Sequence, residues 1–337
     1  MFSQDKLIEI KQLLKTKKNI LILTHQNPDG DAIGSSLGLQ HFLTNMGVQS
    51  TIIVPNEFPK FLKWMPNAKN IIIAEYRVKF TEIAFAKADL IFCLDFNTAP
   101  RINHLESKLT DSRAVKILID HHQEPDLFDY VYSDTSQPAT CQMIYKFIEA
   151  LGEDSKIDEN TACCLYTGLL TDTGSFRFRN TTAETHRIIA SLLEKGVYPD
   201  MVASHVLDNN TPGRIKLLGT VLNSIEIIPE KNTAILYLTK EQLLEFGYQK
   251  GDTDGFVNYG LSITDIKFTA FFMEDLQHDF IKISFRSKGD FDVNQFSRDY
   301  FNGGGHINAA GGRSELSLKN AIYKFKTIVI NEIDEIT

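Results

Sequence analysis

Two rhythms of apolar and polar positions share the first half of the chain. NILILTH (19–25), VQSTIIVP (48–55), DLIFCLDF (89–96) and AVKILIDHH (114–122) are short, near-continuous aliphatic runs. Such runs are expected of strands buried on both faces of a parallel sheet. Between and after them the spacing relaxes to a helical period over residues 31–46, 138–151 and 158–170, with Asp158 as the N-cap of the last. The alternation predicts an α/β domain: an open, doubly wound parallel sheet.

Past FRFRNTTAETHRIIASLLEKG (176–196) the pattern changes. YPDMVASHVLDNNTPGR (198–214) carries the Asn-Asn and Pro-Gly breakers of a domain connection. SIEIIPEKNTAILYLT (224–239), IKFTAFFMED (266–275) and DFIKISFRSKG (280–289) read as strands, with LQHD (276–279) as a hairpin loop. A Gly-rich stretch and a final helix complete a smaller α+β domain with antiparallel strands. The expected division is a first domain over 1–190, a linker over 191–215 and a second domain over 216–337, with an active-site cleft between the two domains.

Composition narrows the function classes. A chain of 337 residues with 43% apolar and 23% charged positions has room for two ordinary globular cores. No run approaches the roughly eighteen apolar residues of a membrane span. The N-terminal MFSQDKLIEIKQLLKTKKN reads as an amphipathic helix, not a signal peptide, so a cytoplasmic protein with no membrane partner is expected. Cys93, Cys141, Cys163 and Cys164 lie in apolar segments without a C-x-x-C pair, which suits small buried hydrophobes. The net charge of −8 argues against coating long duplex DNA. It leaves room for a small nucleotide or short oligomer, and for a carboxylate cluster neutralised by a divalent cation.

That last possibility is raised by THQNPDGDAIGSS (24–36), which gathers His25, Asp29 and Asp31 around a Pro-Asp-Gly turn. Taken alone, these aspartates are ordinary turn and helix-cap residues. Ligands of open α/β sheets, however, bind outside the carboxyl ends of the strands. Those ends also carry Asp95 and the triplet Asp120, His121, His122, and the helix in ACCLYTGLLTDTG delivers Asp172. Asp95 closes a buried run, where an ionised carboxylate needs a partner. Carboxylates with imidazoles and no thiolate suit Mn²⁺ or Mg²⁺ better than Zn²⁺. The donors exceed what one ion requires and suit two ions, a geometry used chiefly in phosphoryl transfer.

HQNPDGD, LDF, DHH and GLLTDTG, in that order, closely resemble the four N-terminal motifs of the DHH phosphoesterases. GGGHINAAGG (303–312) resembles the glycine motif of their DHH-associated C-terminal domain. The compact two-domain form resembles the nanoRNase and pAp-phosphatase branch, which degrades very short RNAs and removes the 3′-phosphate of pAp. The resemblance implies one Mn²⁺ on His25, Asp29 and Asp95 and a second on Asp31, Asp95, His121 and Asp172, with Asp95 shared. It implies that His122 faces the substrate phosphate and that Asp120 orients its neighbouring histidines. It also implies that Arg286 and Ser287 grip substrate.

Gly303, Gly304 and Gly305 would turn backbone N–H groups toward an anion, a following helix would add its dipole, and His306 would add a donor. Arg177, Arg179, Phe176 and Phe178 are weaker substrate candidates. In-line hydrolysis is expected, with His122 or a bound water assisting the leaving ribose oxygen. A homodimer is compatible with this reading. The rivals are a cyclic di-AMP or pApA phosphodiesterase of the same family and a non-catalytic nucleotide-binding regulator. A dehydrogenase has no support, because the glycine motif lies outside the first βα turn.

Overall fold

The computed structural model describes residues 2–333 and 336. The chain divides into two compact units, Met1–Asn209 and Asn210–Thr337. In chain order the first contains α1 (Gln4–Thr16), β1 (Ile20–Leu23), α2 (Gly30–Asn45), β2 (Ser50–Val54), β3 (Ile72–Ile73), α3 (Val78–Lys87) and β4 (Leu90–Leu94). There follow α4 (Glu106–Thr110), β5 (Val115–Asp120), β6 (Tyr130–Ser133), α5 (Thr140–Ala150), α6 (Glu159–Asp172), α7 (Ala183–Glu194) and α8 (Pro199–Val206). Among the described residues no helix is long and apolar enough to cross a membrane.

The first sheet runs β3-β2-β1-β4-β5-β6 and is parallel throughout. Its strands are continuous apolar runs because both faces are covered. Ile20 and Ile22 face one core with Leu90, Phe92, Leu94, Ile117 and Ile119, while Leu21, Leu23, Ile91, Cys93 and Leu118 face the other. This is the period of two that a strand imposes. The order reverses between β1 and β4, which opens a crevice at their carboxyl ends.

Helices α2 and α6 pack close over one face. A Cβ at Gly34 would lie 2.7 Å from the Cys164 carbonyl oxygen, and one at Gly168 would lie 3.1 Å from Asp31 Cα and 2.2 Å from Cys141 Sγ of α5. Only glycine permits that approach, and it carries the C-terminal end of α6, with Asp172, toward the N-terminus of α2. Asp158 caps α6 as expected, accepting from the Thr161 N–H, a contact worth about 1 kcal/mol in comparable helices.

The second unit contains α9 (Pro212–Asn223), β7 (Glu226–Ile228), β8 (Thr233–Leu238), α10 (Lys240–Glu245), α11 (Asn258–Leu261), β9 (Phe268–Glu274) and β10 (Ile281–Ser287). It ends with α12 (Val293–Phe301), β11 (Gly304–His306), β12 (Ala309–Ser314) and α13 (Leu318–Asn331). Its sheet runs β11-β12-β10-β9-β8-β7. Phe268, Phe272, Phe285, Phe296, Phe301 and Phe325 fill one side, and Leu236, Leu238, Phe271 and Met273 pack on the other.

Two features depart from the sequence expectation. The sheet is not wholly antiparallel, since β8 and β9 pair in parallel. Parallel neighbours need a crossover, and α10 and α11 lie within it. The glycine run does not lead into a helix either. It forms β11, and the next element is β12, which pairs with it antiparallel.

Candidate metal centre

The turn after β1 resolves the ambiguity of its aspartates. Asp29 is the N-cap of α2, its Oδ1 accepting from the N–H groups of Asp31 and Ala32 at 3.0 Å each. Its Oδ2 lies 3.9 Å from His25 Nε2. One carboxylate therefore caps a helix with one oxygen and faces a histidine with the other. Asp31, in the first turn of α2, is 1% exposed. Its oxygens accept from the N–H groups of Thr140 at 2.6 Å and Cys141 at 2.8 Å, where α5 begins. A helix N-terminus is a favourable place for a carboxylate.

Asp95 follows β4 in a left-handed conformation, φ +61°, which costs a non-glycine residue of the order of 1 kcal/mol and re-aims its side chain. Its Oδ2 lies 3.5 Å from His25 Nε2, and its Oδ1 lies 3.4 Å from His121 Nε2 and accepts from Thr140 Oγ1 at 3.0 Å. His121 Nε2 is also 3.8 Å from Asp31 Oδ2 and 3.6 Å from Asp172 Oδ2. Two donor groups result, His25 with Asp29 and Asp95, and Asp31 with Asp95 and His121. Asp95 gives a different oxygen to each.

The hydrogen bonds behind the histidines test whether a cation fits. His25 Nδ1 lies 2.8 Å from the Gln26 carbonyl oxygen, and His121 Nδ1 lies 3.2 Å from that of Gln137. A carbonyl only accepts, so both Nδ1 atoms carry the proton. In neutral imidazoles that leaves each Nε2 as a lone pair aimed at carboxylates, an arrangement of acceptors that only a proton or a metal cation resolves. The titration directions say the same. Burial disfavours charge on His121, yet the Asp95 hydrogen bond and the charges of Asp172, Asp95 and Asp31 raise its pKa well above the ordinary value. His25 is raised by Asp95 and Asp29 against the same burial. Burial and the neighbouring Asp95 and Asp172 push Asp31 well up. Burial would also raise Asp95, but hydrogen bonds from His121 and His25 hold it well below the usual carboxylate range. The donors fit a divalent cation.

Asp120 is fully buried and engages His122 twice. Its Oδ2 accepts from the His122 N–H at 3.0 Å, and its Oδ1 lies 2.7 Å from His122 Nδ1. His121 takes its Nδ1 contact from Gln137, so the two histidines are oriented by different partners. Sequence reasoning overlooked Thr140 and Arg101. Arg101 Nη2 lies 3.3 Å from His122 Nε2, and its carbonyl accepts from the Gln26 N–H at 2.8 Å. The available signal was proximity in sequence, since LDFNTAPR places Arg101 in the loop that begins at Asp95.

In the second unit, Arg286 lies on β10 opposite Ala309, and its Nη1 donates to the Phe285 carbonyl at 2.9 Å. The Ser287 hydroxyl donates to the Phe291 carbonyl at 2.7 Å and accepts from Asn308 Nδ2 at 2.9 Å. Gly303 N–H donates to the Ser297 carbonyl at 3.2 Å, and Gly305 N–H to Asn294 Oδ1 at 2.8 Å. Gly304 and His306 pair with Gly311 and Ala309. Two of the three glycine N–H groups are thus committed to α12. The four cysteines are free and buried, and burial pushes their thiols up, Cys163 to about 11, so none is an activated nucleophile.

Residues 19–169 match the family model "DHH family, N-terminal domain", and residues 231–335 match the "DHHA1 domain". The bifunctional oligoribonuclease and PAP phosphatase NrnA of Thermus thermophilus is 30% identical over 91% of this chain and 88% of its own. The Bacillus subtilis protein of the same name is 26% identical over 90% of this chain and 91% of its own. Among solved structures, an exopolyphosphatase-related protein from Bacteroides fragilis superposes with a TM-score of 0.93 at 38% identity, over 97% of this chain and 96% of that one.

Proposed function

The chain belongs to the DHH family and is a hydrolytic phosphoesterase, and on that premise we propose that it hydrolyses very short oligoribonucleotides to 5′-mononucleotides and removes the 3′-phosphate of pAp. The observation that carries the reading is the two-sided Asp95 carboxylate, one oxygen toward His25 and the other toward His121. His25, Asp29 and Asp95 would hold one cation, and Asp31, Asp95, His121 and Asp172 a second, Mn²⁺ by preference and Mg²⁺ as the alternative. Bound there, such cations neutralise charge developing on phosphoryl oxygens and make water a competent nucleophile near neutral pH.

The remaining roles belong to the chain. Thr140 and the N-terminus of α5 hold the Asp95 and Asp31 carboxylates in position. Asp120 fixes the ring of His122 with its proton on Nδ1. The Arg101 guanidinium can only donate, so His122 Nε2 accepts from it and carries no proton to give. The leaving oxygen therefore draws its proton from water rather than from His122. Arg286, Ser287, Gly304 and His306 would hold the rest of the nucleotide, the Gly303 and Gly305 N–H groups being spent on α12. A short substrate suits such a division of labour, since only a few nucleotides need be gripped.

The test is a panel of pAp, a 5′-phosphorylated RNA dinucleotide, a 24-mer RNA and cyclic di-AMP, each with Mn²⁺ and with EDTA, read by anion-exchange chromatography. Metal-dependent AMP from pAp and mononucleotides from the dinucleotide, with little action on the 24-mer, is the expected result. Preference for cyclic di-AMP would move the protein to a signalling phosphodiesterase. No hydrolysis of any member would favour a binding protein.

A further inference from the structure

We propose that Arg101 is the guanidinium that grips the phosphoryl group during hydrolysis. The inference rests on the phosphoesterase reading above and names a substrate-contacting residue that reading did not include.

Two anchors hold Arg101 at the centre. Its carbonyl accepts from Gln26 N–H, which ties the 3-10 segment Ala99–Leu105 to the loop that carries His25. Its side chain reaches His122 Nε2 through Nη2 alone, at 3.3 Å. A guanidinium carries five N–H donors in a planar fork. Among the described residues, no other hydrogen bond and no carboxylate ion pair engages this one, although five aspartates stand around the neighbouring histidines. Its charge is nevertheless felt at His25.

Arg101 is half-buried, so a cation with most of its donors unspent sits beside a set of acceptors without neutralising any of them. The group that completes it is an oxyanion of matching width, which an arginine binds bidentately. A phosphoryl group held at the carboxylate centre is such an anion. The series Asp120, His122, Arg101 gives each member a fixed partner. Asp120 sets the His122 ring, and His122 Nε2 holds one edge of the guanidinium. The remaining N–H groups are left to donate to a non-bridging oxygen on which charge builds, the largest lever of electrostatic catalysis.

The experiment compares wild type with Arg101→Gln and Arg101→Lys in the full chain. Mn²⁺ binding and melting temperature are measured first, then binding of inorganic phosphate and AMP to the Mn²⁺-loaded protein by calorimetry, then turnover of pAp. The expected result is Mn²⁺ affinity and melting unchanged in both variants. In Arg101→Gln, phosphate and AMP bind about tenfold more weakly and kcat falls about 10²-fold, and Arg101→Lys recovers part of both. Unchanged phosphate affinity and turnover in Arg101→Gln would overturn the proposal. So would loss of Mn²⁺ affinity and melting temperature in step with activity, which marks a structural role. Should wild type turn over no phosphoester, the functional reading fails by itself, and the phosphate calorimetry still reports on Arg101.

Discussion

Asp95 and Asp275 are both buried aspartates placed just past the end of a strand, 2% and 7% exposed, and each has histidine beside it. Asp275 Oδ1 accepts from the N–H groups of Gln277 and His278 and from His278 Nδ1, each at 2.9 Å, and Oδ2 pairs with Lys282. Every donor is part of the same hairpin and is in place when the turn forms. Burial works against the charge, but Lys282, the turn N–H and His278 hold the carboxyl well below its ordinary range. Asp95 instead faces two imidazoles whose protons are turned away toward carbonyls, in a neighbourhood shared with Asp31 and Asp172. One carboxylate has its charge answered within its own hairpin; the other shares its two histidines with further acids. An acidic cluster therefore reads as a candidate metal centre when its histidines turn their Nδ1 protons to carbonyls and their Nε2 atoms to several acids, not when it merely gathers the acids.

The largest effect is expected from removing the carboxylate proposed to be shared. Asp95→Ala should lower pAp hydrolysis by about 10³-fold or more with the far-ultraviolet dichroism spectrum unchanged. Activity retained within tenfold would break the comparison on the side of the centre. Next comes Asp120→Asn, which keeps the shape but removes the charge that fixes His122. Loss of such a supporting partner typically costs about 10- to 100-fold, and here the loss should fall on turnover rather than on Mn²⁺ affinity, read by titrating activity against the metal.

The smallest effect is on the other side. Asp275→Asn should leave kcat unchanged and reduce unfolding free energy at neutral pH by about 1–2 kcal/mol. An unfolded aspartate titrates near about 3.9, and the folded group lies below that. Its contribution is complete above the unfolded value and is lost as pH falls toward the folded one. The gap between wild type and variant in urea unfolding should therefore narrow below about pH 4; a gap that widens in acid would contradict the hairpin account.

The doubly wound sheet was legible because strands covered on two faces must be apolar at every position, as in ILIL and LIFCL. Most metal-centre candidates were legible because they sit at or just past the point where such a run stops, while Asp172 ends α6. What escaped was set by distant contacts. β6 and β3 are four and two residues long, too short to show a period. The parallel pairing of β8 and β9 depends on the path of the crossover, not on either strand's own pattern. Arg101 and Thr140 enter the centre from a 3-10 segment and a helix start far along the chain from the residues they touch. The glycine run suggests a nest before a helix because three glycines do not reveal that Ser297 and Asn294 will take two of the N–H groups.

The most direct measurement is a Mn²⁺ titration of metal-free protein by calorimetry, with electron paramagnetic resonance of the product, for wild type, Asp95→Ala and Asp275→Asn. The account predicts about two Mn²⁺ per chain with spin-coupled signals in wild type and Asp275→Asn, and loss of the coupled pair in Asp95→Ala. No binding in wild type, or an unaltered coupled pair in Asp95→Ala, would contradict it.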